Sequence, residues 1–301
     1  MQHMAKDKFF NIKNFLFLIA AYLCLLAFDS YVYYDHGIRN RIIESKELFA
    51  NSNRTINGLI FGGSNAMWGI SAEQLSTDTD VDFYNFSLPS NGFNYLNYFE
   101  YVNSVLSDEQ KKNIDNIIWS TIHPLDNPPY DDFSRDISGK LESIKYGLNL
   151  SLAQHIKNIF LSKPHKFLHN KNTGDFSEES FICPASDSSL LDKNLYNEIV
   201  AYKHKLKINK EFEIEFNAYS HFIKSNFPNA KVLFVIPPTF NEIIADKETL
   251  NKLNLLIEAA GFQLFLSPPL KKIEYICDAS HHPSILGRKI RTNELSRLVR
   301  N

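Results

Sequence analysis

Ser64 and an Asp-His segment near the far end of the chain carry the residue types of nucleophilic acyl chemistry. Ser64 stands in Leu59-Ile60-Phe61-Gly62-Gly63-Ser64-Asn65-Ala66-Met67-Trp68-Gly69, where a short apolar run meets a glycine pair and then a helix start. Asp278-Ala279-Ser280-His281-His282 supplies a carboxylate and, three residues on, an imidazole. A serine hydroxyl is a weak nucleophile until a base takes its proton and a third group holds that base, so the parts of a Ser-His-Asp machine are present. His281 has the Asp-x-x-His spacing and is the expected base, ahead of His282, which precedes Pro283. Taken alone, Ser64 reads as a helix cap after a glycine turn, and the Asp278–His282 segment as a polar loop. Together they support the chemical reading.

Alternating strands and helices must position these groups. The continuous apolar run at 58–62 predicts a strand buried on both faces of a parallel sheet. Further strands are predicted at 81–87, 116–122, 230–238 and 262–266, with helices at 71–75, 95–106, 190–226, 247–260 and 285–300. This pattern argues an α/β fold, a parallel sheet covered by helices on both faces. Loops after strand carboxyl ends are where such folds gather functional groups. Besides Ser64 and the Asp278 loop, this selects Gly63, Asn65, Ser90, Asn91, Gly92 and His123 as oxyanion or substrate candidates. Residues 124–189 form a partly irregular insertion with one helical segment at 144–160, of a length that suits a lid or binding loop. Trp68 and Trp119 flank the proposed site in sequence and read as core residues. His155, His165, His169, His204 and His221 show no metal-ligand pattern and read as surface residues.

Of 301 residues, 44% are hydrophobic and 22% charged, ample for a packed core. A net charge of −2, with no basic stripe, gives no reason to expect nucleic-acid binding. The N-terminus is different: residues 14–28 carry no charge, and the apolar stretch reaches 34 if Asp29 is allowed at its rim. That approaches the length needed to cross a bilayer. Lys6, Lys8 and Lys13 before it, with Asp29 and Asp35 after it, put the N-terminus in the cytoplasm. The expected organisation is a cytoplasmic segment 1–13, a membrane anchor 14–34, a stalk or linker helix 35–56 and a domain 57–301. A cleaved signal peptide is the competing reading, disfavoured by the absence of a clear small-x-small cleavage site. Cys24, Cys183 and Cys277 have no zinc spacing; in an oxidising compartment Cys183 and Cys277 could pair.

Phe61-Gly62-Gly63-Ser64-Asn65, followed by the 85–92 segment and Asp278-x-x-His281, resembles the SGNH (GDSL-like) hydrolase superfamily. The likeness is nearest to its membrane-anchored, envelope-modifying acyltransferase branch, which includes the D-alanyl-transfer and alginate O-acetylation proteins. It covers about 57–300, with the insertion unmatched. The resemblance implies a three-layer, flavodoxin-like parallel sheet, with Ser64 as nucleophile, His281 as general base and Asp278 as its orienter. It also implies the Ser64 backbone N–H as an oxyanion donor. Gly62-Gly63-Ser64 replaces the family's Gly-Asp-Ser, the second-block glycine falls on Ser90, and Ser120-Thr121-Ile122-His123 stands where an asparagine is expected. The implied activity is transfer of an acyl group, acetyl above all, to a cell-envelope glycan or exopolysaccharide outside the cytoplasmic membrane. The donor would come from a membrane-embedded partner, and no metal or cofactor is implied. Hydrolysis by the same residues as an esterase or deacetylase, or a non-catalytic envelope scaffold or carbohydrate-binding role, are the competing expectations.

Overall fold

The structure, a computed structural model, describes residues 14–17, 19–27, 38–52, 54–88, 95–125, 170, 172–176, 193–277 and 279–300. The chain divides into two compact units, Met1–Arg41 with Ser134–Phe167, and Ile42–Phe133 with Leu168–Asn301. In the first, residues 14–17 and 19–27 are helical. No helix among the described residues is long and apolar enough to cross a membrane. Position 18 and residues 28–34 of the expected anchor lie outside the described residues, as does the predicted helix 144–160.

The second unit is built on five parallel strands: β1 Gly58–Gly62, β2 Phe83–Asn85, β3 Asn116–Ser120, β4 Lys231–Ile236 and β5 Gln263–Leu266. Their spatial order is β2-β1-β3-β4-β5. The chain steps from β1 to β2 on one side, then returns to place β3 on the other. The carboxyl ends of β1 and β3 therefore flank a topological switch point, where an open α/β sheet leaves a crevice.

Register aligns Ile60, Ile118 and Leu233 in one row and Phe61, Trp119 and Phe234 in the next. Because successive side chains on a strand alternate faces, the rows build different cores. Ile60, Ile118, Leu233 and Val235 pack with Leu75 and Leu295 from helices Ala72–Thr79 and Ile285–Val299. On the opposite face Trp119 stacks on Phe216 at 5.8 Å and meets Phe234 edge-on at 4.9 Å. Phe61 packs on Tyr98 and Phe99 there. Tyr98 and Phe99 belong to helix Tyr95–Val105 and Phe216 to helix Lys210–Asn226. The result is the expected three-layer α/β sandwich, with Trp119 in its core.

Two elements differ from expectation. The helix Ile38–Ala50 is not a solvated stalk: Ile42, Ile43, Lys46 and Phe49 are buried, and Phe49 stacks on Tyr84 at 3.6 Å. Lys46 Nζ donates to the carbonyls of Asn85 and Gly174, and burial holds its ammonium well below the usual lysine range. The predicted helix 190–226 breaks into Lys193–Ala201 and Lys210–Asn226. Between them His204, Leu206 and Ile208 are buried while Lys203, Lys205 and Lys207 are exposed, the alternation of an extended chain. Leu206 bridges Leu125 and Lys205 bridges Ile244, so this segment ties together the loops after β3 and β4.

Candidate functional site

The site begins where β1 ends. Gly62 has φ +154°, and a Cβ there would lie 2.4 Å from the Ser120 carbonyl oxygen and 2.6 Å from Ala66 Cβ. Only glycine fits this close pass against β3. The chain then turns through Gly63, whose carbonyl accepts from Ala66 and Met67, and Ser64 opens the helix Ser64–Gly69. The first N–H groups of a helix have no intrahelical acceptor, so the Ser64 N–H emerges at the strand's carboxyl end. Asn65 turns inward: it is buried, its carbonyl accepts from the Ala66 N–H, and its amide lies 3.5 Å from Ser120 Oγ. It braces the turn rather than facing substrate.

The opposing group comes from the loop before the last helix. Cys277 N–H donates to His282 O at 2.7 Å, His282 N–H donates to Ala279 O at 3.0 Å, and Ile276 bridges Pro283. Ser284 caps the following helix through Gly287 N–H, and its hydroxyl donates to Glu274 O. A Cβ on Gly287 would stand 2.2 Å from Tyr275 O, so the loop lies directly on that helix. This frame places His282 Nε2 2.9 Å from Ser64 Oγ. Both residues are partly exposed.

The structure thus seats His282, not His281, on Ser64. The reason lies in the tight turn, which points consecutive side chains in different directions. His281 packs edge-on against His282, centroids 4.5 Å apart, and against His204 at 5.5 Å. Asp278 and the candidates Ser90, Asn91 and Gly92 lie outside the described residues. His123 is committed elsewhere: its Nε2 lies 2.9 Å from Glu215 Oε2, and its ring packs on Phe212 and Tyr219. Burial pushes His123 down to about 4 and the Glu215 carboxyl upward. At neutral pH the His123 imidazole is therefore neutral.

His204 and Trp68 also meet the residues of this loop. His204 is buried rather than at the surface, with Nε2 2.9 Å from Ser280 Oγ. Trp68, only partly buried, lies nearly parallel to the His282 ring at 6.5 Å and packs on Phe176 at 4.7 Å. Cys277 is disulfide-bonded and Cys24 is a free, exposed thiol; Cys183 lies outside the described residues. Among the described residues no group of histidine, cysteine or carboxylate side chains could hold a metal ion.

No protein-family model matches the chain, and no curated protein matches it. Among solved structures it is similar to an acetyl xylan esterase (Est2A) from the rumen bacterium Butyrivibrio proteoclasticus, with 12% identity and a TM-score of 0.36. That alignment covers 83% of this chain and spans 65% of the esterase.

Proposed function

We propose that this protein is a serine acyltransferase of the SGNH kind, acting outside the cytoplasmic membrane on a cell-envelope glycan. The 2.9 Å contact between Ser64 Oγ and His282 Nε2 at the carboxyl end of β1 carries the reading. His282 takes the Ser64 proton as Oγ attacks the donor's acyl carbon. The leaving group departs with that proton, leaving an ester on Ser64. An acceptor hydroxyl then gives its proton to His282, attacks the same carbon and regenerates the Ser64 hydroxyl. The Ser64 N–H serves the oxyanion in both steps, a role typically worth about 3 kcal/mol per donor. Asp278, four residues before His282, is the carboxylate proposed to orient it. A membrane anchor at 14–34 is supported by the exposed Phe15, Leu16, Phe17, Ile19 and Leu23 on the N-terminal helical residues. The acyl donor is proposed to come from a membrane-embedded partner.

A second reading, an esterase, is favoured by the partial exposure of Ser64 and His282, since water can then reach the acyl-enzyme. Labelling with a serine-directed fluorophosphonate tests what both share. Wild type should be labelled and Ser64→Ala should not; equal labelling removes the nucleophile. Hydrolysis of a chromogenic acetyl ester, compared with transfer to added oligosaccharide, separates the two readings.

A further inference from the structure

We propose that His204 is a positioning residue for the Ser64–His282 pair, acting through Ser280; the inference rests on the reading of that pair given above. His204 is 3% exposed and Ser280 8%. A buried imidazole nitrogen needs a partner, and Ser280 Oγ meets His204 Nε2 at 2.9 Å. Ser280 lies two residues before His282, on the loop that must present it. Its carbonyl also accepts the Phe240 N–H at 2.7 Å, so side chain and main chain fasten the same residue.

The anchor is itself fixed. The His204 carbonyl accepts Ile244 N–H at 2.8 Å, Leu206 N–H donates to Ile244 O, and Lys207 N–H donates to Pro124 O. His204 therefore stands on a strip bonded to the loops after both β3 and β4. Its ring also meets His281 at 82°, and His281 meets His282 at 65°. A continuous run of side chains, His204–His281–His282, ends on Ser64. Displacing Ser280 would break its contact with His204 and withdraw the packing behind His282. The loop is thereby held in the conformation that places Nε2 on Ser64, a geometry to which acyl chemistry is sensitive.

The test uses the full chain with nitrogen-15 histidine, reading the imidazole signals of His282, assigned by their loss in His282→Gln. In His204→Gln the amide can take the place of Nε2, so the His282 signals should keep their wild-type positions and the fluorophosphonate labelling rate should stay within about twofold of wild type. His204→Leu and Ser280→Ala should each shift those signals and slow labelling about tenfold to a hundredfold, the range expected of a misplaced catalytic group. Their double variant should lose no more than either single. Ser280→Ala keeps the experiment decisive if His204→Leu fails to fold. Signals that stay in place in Ser280→Ala, or move as far in His204→Gln as in His204→Leu, overturn the proposal. A wild type that resists labelling sinks the acyl-transfer reading instead, while the imidazole signals still decide the role of His204.

Discussion

Ser64 Oγ and His282 Nε2 meet at 2.9 Å across 218 residues of sequence. The meeting is made by frames that share no local sequence: the β1 turn at Gly62, and a loop clamped between Cys277 and His282 and seated on Gly287.

That contact predicts a sharp difference between adjacent histidines. His282→Gln should reduce fluorophosphonate labelling or ester turnover by at least about a hundredfold, as expected when a base is removed from a unit that acts together. His281→Gln, which removes a ring packed behind His282 but no contact with Ser64, should cost less, about tenfold. The reverse ranking would restore His281 as the base.

The turn before Ser64 predicts a stability effect. Gly62→Ala would set a methyl 2.4 Å from the Ser120 carbonyl, at a φ that side chains rarely adopt. The cost should be about 2–4 kcal/mol, read from denaturant unfolding, and labelling of Ser64 should fall with it. An unchanged midpoint would mean the turn has room that its geometry denies.

Much of this framework was legible in the sequence because continuous apolar runs and glycine turns mark buried parallel strands and the loops behind them. The strand at 58–62, most of the one predicted at 116–122 and the place of Ser64 follow from that pattern. The choice between His281 and His282 was not legible, since it depends on a turn closed by Cys277 N–H and His282 O. The helix expected across 190–226 hid a signal that was present. Lys203-His204-Lys205-Leu206-Lys207-Ile208 alternates with period two, which predicts an extended chain with His204 on its buried face. Lys46 was illegible for another reason: its acceptors, the carbonyls of Asn85 and Gly174, are remote in sequence.

Cysteine chemistry gives a direct count. With Cys277 in a disulfide and Cys24 free, the folded protein should titrate one thiol without reductant and three after reduction. Because Cys277 forms the base of the His282 loop, reduction should also slow Ser64 labelling. Three free thiols in the unreduced protein would contradict the disulfide.

Arg291 is fully buried, sits 5.0 Å over the Phe265 ring, and reaches Glu294 only at 3.8 Å. Its NH1 and NH2 groups have no hydrogen-bond partner among the described residues, and burial lowers its pKa to about 9. A buried charge so thinly compensated contributes little to stability, and an apolar side chain of similar length should replace it without loss. Arg291→Met should leave the Tm unchanged or raise it by a few degrees, whereas a fall of ten degrees would point to an essential charge.

His123 should make the fold sensitive to mild acid. Its pKa is depressed by burial from 6.5 to about 4, so between those values the unfolded chain binds a proton that the folded protein refuses. Its contribution is intact above pH 6.5 and is lost as pH falls toward 4. At about 1.4 kcal/mol per pKa unit, the loss approaches ~3.5 kcal/mol as an upper bound. Glu215, whose carboxyl is raised by burial, works the other way and softens the slope: protonating it favours the folded state as the pH drops. Replacing His123 with Phe keeps a ring against Phe212 and Tyr219 but removes the titration. Denaturant unfolding at pH 7, 5.5 and 4.5 should therefore show a smaller loss of stability in His123→Phe than in wild type. Parallel losses in the two proteins would mean that His123 is not the group responsible.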